Sequence, residues 1–205
     1  GSLMRFEKIV KVVLGAAVAL LAGSAEGGIV NTKHNLSASG PGTVKAAAES
    51  EVCIFCHTPH NASAAAPLWN RSLPTLVYTP YSSSTLQSTP GQPTYSSKLC
   101  LSCHDGTIAL GSVLSRSTPI TVSGSLSSRA NLTTDLSNDH PVSFVYDAAL
   151  ATADQELAAP GTLTGAVRLD SHGQVQCTTC HDPHSSTYPM FMVRDASNAA
   201  LCTTC

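Results

Sequence analysis

Cys53-Ile54-Phe55-Cys56-His57-Thr58-Pro59-His60 is the stretch on which the reading of this chain turns. Two thiols three residues apart, with an imidazole directly after the second, share one face of a single helical turn. Thiols so placed can add to the two vinyl groups along one edge of a haem, and the imidazole then turns to the iron as proximal ligand. The pattern recurs at Cys100-Leu101-Ser102-Cys103-His104 and at Cys177-Thr178-Thr179-Cys180-His181. A fourth pair, Cys202 and Cys205, ends the sequence, so the residue after it is not seen. All eight cysteines fall into these pairs, and His57, His104 and His181 fill every position that can be scored.

Two other chemistries use cysteine this way. A disulfide scaffold would explain eight cysteines in an exported chain but not the histidine after each pair. Structural zinc uses Cys and His together, but from two separated pairs per ion and without a fixed Cys-His neighbour. Covalent haem c explains both features, with three complete sites and a fourth truncated one.

Proximal ligation uses three histidines and leaves His34, His60, His140, His172 and His184. An electron-transferring haem iron takes a second axial ligand, usually His or Met. His60 and His184 each lie three residues after a proximal histidine, in Thr-Pro-His and Asp-Pro-His. A residue there leaves on the proximal side of its own haem, so it is better placed to ligate a neighbouring iron. His140 stands in Asn-Asp-His-Pro-Val, on backbone that the following proline keeps extended, and His34 in the N-terminal arm. Four cysteine pairs call for four distal ligands, and His34, His60, His140 and His184 supply four. His172, at an Asp-Ser-His-Gly turn, is surplus and reads as an exposed turn residue. Met190 and Met192 alternate with Phe191 and Val193 like packing residues rather than axial ligands.

Only 12% of the residues are charged and 5% aromatic, and the formal charge is −2. Nothing there suggests nucleic-acid binding. Residues 1–25 read as a secretory signal, with Arg5, Lys8 and Lys11, an apolar run from Val12 to Ala22, and Gly23-Ser24-Ala25 as cleavage site. Gly1 to Leu3, ahead of Met4, stand outside that reading. Cleavage removes three basic residues and one acidic, leaving −4, and no later stretch is apolar enough to span a membrane. The expectation is an exported protein, extracellular or periplasmic, with one multihaem domain over 26–205.

Helix signals are weak. Residues 96–114 are expected to form a short helix around the second pair, and Asp147 to Ala159 another, closed by a proline. Residues 164–176 suggest two short strands joined at Asp-Ser-His-Gly. The fold class is therefore loop-rich and mainly coil, with a few short α-helices and a small β-hairpin wrapped around a haem stack. The two Cys-x-x-Cys-His-x-Pro-His segments form a weak internal repeat whose intervening sequences do not align.

These residues, with Ala66-Pro67-Leu68-Trp69-Asn70, Cys100-Leu101-Ser102-Cys103-His104-Asp105-Gly106-Thr107-Ile108-Ala109 and Asp139-His140-Pro141-Val142-Ser143-Phe144, resemble the doubled-CXXCH multihaem c-type cytochromes. Their order is similar to the tetrahaem outer-surface (OmcE-like) cytochromes of metal-reducing bacteria, some of which polymerise into extracellular nanowires. The resemblance runs over roughly residues 30–205. It implies four bis-histidine haems in a continuous stack, with proximal roles on His57, His104 and His181 and distal roles on His34, His60, His140 and His184. It implies electron transfer rather than catalysis, with partners that are further copies of the chain, other redox proteins or extracellular electron acceptors. In filament-forming relatives one distal histidine crosses to the next subunit, a role that would fall here to His34 on its arm. The missing residue after Cys205 is the one departure, and the expectation is that the sequence is cut short there. A monomeric periplasmic carrier and a multihaem oxyanion reductase are the rival readings. The second needs an iron with an open position.

Overall fold

The computed structural model describes residues 28–205. The stretch read as a secretory signal, 1–25, lies outside the described residues. Three helices occur among the described residues: α1 (Tyr95–His104), α2 (Ala148–Asp154) and α3 (Cys177–Cys180). Four two-residue strands make two antiparallel pairs: β1 (Lys45–Ala46) with β2 (Val122–Ser123), and β3 (Phe144–Val145) with β4 (Gln174–Val175). The rest is loop and single 3-10 turns, as the composition implied. Among the described residues no helix is long and apolar enough to cross a membrane.

The expected elements form, but shorter or with other partners. The helix around the second cysteine pair stops at His104, and Gly106, at φ 73°, turns the chain away. The helix expected over 147–159 begins on Asp147, whose carboxylate accepts from Leu150 N at 2.8 Å, and ends when Gln155 adopts φ 64°. The Asp-Ser-His-Gly turn closes through Asp170 N to Gln174 O and Gly173 N to Asp170 O. Its outgoing strand pairs with Phe144–Val145, however, not with the residues just before the turn.

The interior is small and more hydrogen-bonded than oily. One apolar cluster joins Ala46, Ile54 and Phe55, and a second joins Tyr78, Leu101 and Leu136. Buried polar or charged side chains outnumber buried hydrophobic ones, twelve to ten, so hydrogen bonds rather than aliphatic packing fix the loops. Asn35 and Ser37 are fully buried, which ties down the N-terminal arm. Gly111 allows one close crossing. A Cβ there would lie 1.8 Å from the Ile120 carbonyl oxygen, whose residue donates its N–H to Gly111 O.

The internal repeat is clearer in three dimensions than in sequence. After the first cysteine pair the chain returns to bridge His57 with Trp69; after the third it returns to bridge His181 with Met192. The ladders match: Thr58 N to Leu68 O and Asn70 N to Cys56 O in one, Asp182 N to Phe191 O and Val193 N to Cys180 O in the other. Leu68 (φ 60°), Met190 (φ 57°) and Phe191 (φ 60°) make the corresponding corners. Loops of unequal length between pair and return strand hide this likeness from a residue-by-residue alignment.

Candidate haem-ligand sites

Each cysteine pair sits on one helical turn. Cys53 lies within a 3-10 turn over Val52–Phe55 and Cys56 directly follows it, Cys100 and Cys103 lie within α1, and Cys177 and Cys180 bound α3. Cys202 lies in the turn Cys202–Thr204 with Cys205 next to it. His57 N and His181 N donate to the carbonyls of Cys53 and Cys177, at 2.8 and 2.9 Å, which closes the turn and throws the imidazole outward. All eight thiols are free.

Opposite each of the three proximal imidazoles stands a second one from a distant part of the chain. At site I His57 faces His184, with ring centroids 6.1 Å apart and planes at 18°. At site II His104 faces His34, at 6.0 Å and 82°. At site III His181 faces His140, at 6.2 Å and 20°. Rings at that spacing are too far apart to stack. It is the separation, roughly 6 Å, that follows when two imidazole nitrogens bond at about 2 Å to opposite sides of one metal. The three facing rings, His184, His34 and His140, are three of the four histidines expected as distal ligands. The His34 arm is packed rather than free: its ring faces His104 of the same chain and lies 4.3 Å from that of Phe191. His60 is exposed, and no imidazole faces it among the described residues.

Backbone carbonyls orient the proximal rings. His104 Nδ1 meets Ala130 O at 2.7 Å and His181 Nδ1 meets Met190 O at 2.8 Å, which leaves Nε2 of each ring to point outward. The Leu68 carbonyl plays this part for His57. Met190 therefore contributes its backbone, and its side chain is exposed. Burial lowers the basicity of His57 and His181, with help from the facing or neighbouring imidazoles. His34 is pulled down to about 4, first by burial and then by the His104 charge. Such rings are neutral near pH 7, the form that can bind a metal.

The attachment loops follow one another in space. Burial pushes the Cys56 thiol up to about 12 and Cys103 also contributes, while Cys100 and Cys177 share a hydrogen bond. The Cys180 thiol, raised to about 11 mainly by burial, also feels Cys205 and Cys202. Pair one thus adjoins pair two, pair two adjoins pair three, and pair three adjoins pair four. Among the described residues no three His, Cys, Asp or Glu side chains converge as a zinc ion requires.

Two joints lock this order, and neither was singled out from the sequence. Asn70 donates its Nδ2 to Ile54 O at 2.6 Å, inside the first pair, and Arg71 donates its Nη2 to Ser102 O at 2.8 Å, inside the second. Gln176, directly before the third pair, accepts from Ser97 Oγ of α1 at 2.6 Å and from Ser143 Oγ at 2.9 Å. A signal for Arg71 was present. It and Lys98 are the only charged residues between Glu51 and Asp105, so an arginine stands there with no acid near it in sequence. His172 is exposed as expected and stacks on Tyr95 at 4.0 Å, away from the three pairs.

Residues 171–205 match the family model of the doubled CXXCH motif. No curated protein matches the chain. The matched segment holds the third and fourth cysteine pairs, and it supports a multihaem c-type cytochrome with covalently bound haem c. Proteins of that class typically carry electrons.

Proposed function

We propose that the chain is an exported electron-transfer protein with four haem sites in a row, and that it works as a subunit of an extracellular respiratory filament. The single observation that carries the electron-transfer reading is the set of three imidazole pairs spaced at 6.0 to 6.2 Å. The residues fit haem c: Cys53 and Cys56 with His57 and His184, Cys100 and Cys103 with His104 and His34, Cys177 and Cys180 with His181 and His140. When bound, haem c supplies a one-electron iron couple. Two histidines per site leave no iron position for a substrate, which favours a carrier over an oxyanion reductase.

The filament reading rests on the repeat. His184 of the second repeat unit serves site I of the first unit. His60 is its equivalent in the first unit, and among the described residues no imidazole faces it. With His34, His140 and His184 set against the first three pairs, no described histidine other than His60 and the exposed His172 is left for Cys202 and Cys205. His60 of one copy therefore ligates the fourth site of the next, a head-to-tail contact that does not close on itself. This gives His60 the crossing role that the resemblance would place on His34.

Two measurements on the full-length exported protein test these claims in turn. Intact mass is expected to show four covalent haems, and a low-spin spectrum unchanged by cyanide or nitrite; a haem-free product, or a cyanide-reactive iron, would sink the electron-carrier reading. Negative-stain micrographs are expected to show filaments for the native protein and single particles for His60→Ala, both with full haem content. Filaments that persist in His60→Ala would remove the crossing role.

A further inference from the structure

Arg71 is fully buried, and every one of its five N–H groups is used. Nε donates to Ser102 Oγ at 3.3 Å, Nη1 to Leu110 O at 2.7 Å and Ser112 O at 3.2 Å, and Nη2 to Ser102 O at 2.8 Å and Ala109 O at 3.1 Å. All these acceptors are neutral. The charge is solvated by dipoles but not cancelled, and no donor remains for a carboxylate. In a water-poor interior such a charge acts at a distance. Its place is the joint of sites I and II, because Ser102 lies between the second pair of thiols and Asn70 reaches between the first. Its field opposes the upward push of burial at both Cys56 and Cys103.

Two carboxylates stand further along. Asp105 follows His104 and is buried; it accepts from Tyr78 Oη at 2.5 Å and from Thr107 N and Oγ1 at 2.8 Å each. It acts on Cys103. Asp139 precedes His140, its Oδ2 is buried without a partner, and it acts on Cys177 of site III. Asp182 lies against His184, the imidazole that faces His57, with Oδ1 3.4 Å from Nδ1. Site I thus has the cation and Asp182 beside it, site II the cation and Asp105, and site III Asp139 without the cation.

We propose that Arg71 holds the reduction potentials of sites I and II above that of site III, so that an electron delivered at the third cysteine pair runs toward the first two. This rests on the multihaem reading above. With two neutral imidazoles, the iron–porphyrin core carries one positive charge when ferric and none when ferrous. Reduction adds one electron, with no ligand lost and no proton required. A nearby cation therefore favours the reduced state and a carboxylate the oxidised one. Arg71 is here a positioning residue for the electron, since it touches neither ligand.

The ring angles label the sites for the test. Axial imidazoles in perpendicular planes give ferric low-spin iron a single strongly anisotropic resonance, whereas near-parallel planes give a resolved rhombic one. Site II, at 82°, belongs to the first kind, and sites I and III, at 18° and 20°, to the second. The experiment is a mediated redox titration of the full-length holoprotein, with dithionite as reductant and paramagnetic resonance as readout. On reduction one rhombic component and the anisotropic one are expected to vanish before the other rhombic component. Arg71→Gln is expected to move the first two to lower potential and leave the third in place. Ser102→Asp keeps the guanidinium and its four carbonyl bonds but neutralises it, so it should move the same two in the same direction. A native titration in which the anisotropic component is reduced only after both rhombic ones overturns the proposal, even if neither variant folds. So does a haem-loaded variant in which no component moves, or in which all move together. A mass spectrum without covalent haem would instead defeat the function proposed above.

Discussion

Arg71 and Gln176 hold neighbouring attachment loops together in the same mechanical way but with different electrostatics. Arg71 bridges the first and second loops with a cation whose partners are one hydroxyl and four carbonyls. Gln176 bridges the second and third with a neutral amide: Oε1 accepts from Ser97 and Ser143, and Nε2 donates to Thr94 Oγ1, Asp170 Oδ2 and Gln174 Oε1. Both side chains are almost wholly buried and both are saturated with hydrogen bonds. A small fold with little apolar core needs such joints, because each holds several loops at once at one residue's entropic cost. The difference is that the side chain at the first joint is itself a cation, whereas the one at the second is neutral.

The comparison breaks most visibly at the first joint. Arg71→Ala orphans the carbonyls of Ser102, Ala109, Leu110 and Ser112 and empties a guanidinium-sized space. The expected loss is on the order of 4 kcal/mol in chemical denaturation, enough to cut holoprotein yield sharply. A loss below about 1 kcal/mol would mean that the carbonyls find water and that the joint is replaceable.

At the second joint, Gln176→Ala is expected to cost less, roughly 2 to 3 kcal/mol, since most of its partners are side chains that can turn elsewhere. Gln176→Glu sharpens the point. It keeps the acceptor for Ser97 and Ser143 but sets a carboxylate against Asp170, whose Oδ2 now receives a hydrogen bond from Gln176 at 2.9 Å. For Asp170, burial pushes its carboxyl upward, but hydrogen bonds from Gln174, Gln176 and His172 outweigh it and hold it below the ordinary value. A depressed carboxyl stabilises the native chain above its unfolded pKa and loses that contribution as pH falls through the folded value. Native protein should therefore weaken below about pH 4. Gln176→Glu should do the reverse between about pH 7 and 5, gaining stability as one of two facing carboxylates protonates. Parallel acid denaturation curves for the two proteins would remove Asp170 from the joint.

How much of this was legible follows the chemistry of each residue. Cys-x-x-Cys-His is covalent grammar, so its spacing gave the attachment sites directly. The distal histidines were legible as a set, because counting ligands against sites needs no geometry. Pairing needs geometry: His184 faces His57 from 127 positions away, and no local pattern encodes that return. His34 looked mobile because Gly, Ser and Ala surround it, yet Asn35 and Ser37 bury their side chains in hydrogen bonds to the arm itself. The joints were hidden because Asn, Gln and Arg usually read as solvated polar residues. Only burial distinguishes them from Gln155 or Arg116.

The smallest effect is expected at His172, which tests whether the ligand count is complete. It lies near the second joint: His172 N donates to Asp170 Oδ1 at 2.8 Å, and its ring stacks on Tyr95, the first residue of α1. Five histidines lie outside the Cys-x-x-Cys-His motifs, and the four-site proposal calls for four distal ligands, so on that proposal one is spare. Exposure and a neighbouring aromatic ring make His172 that one. His172→Ala removes the stacking contact and leaves the turn, which is held by backbone donors to Asp170. The change in stability should stay within about 0.5 to 1 kcal/mol. The visible spectrum and the resonance components of all sites should be unchanged. A new high-spin signal in His172→Ala would mean that an iron loses a ligand, and one of His34, His60, His140 or His184 would then have to give up its role. His184→Ala is the matched positive control, since it strips site I and should generate that signal.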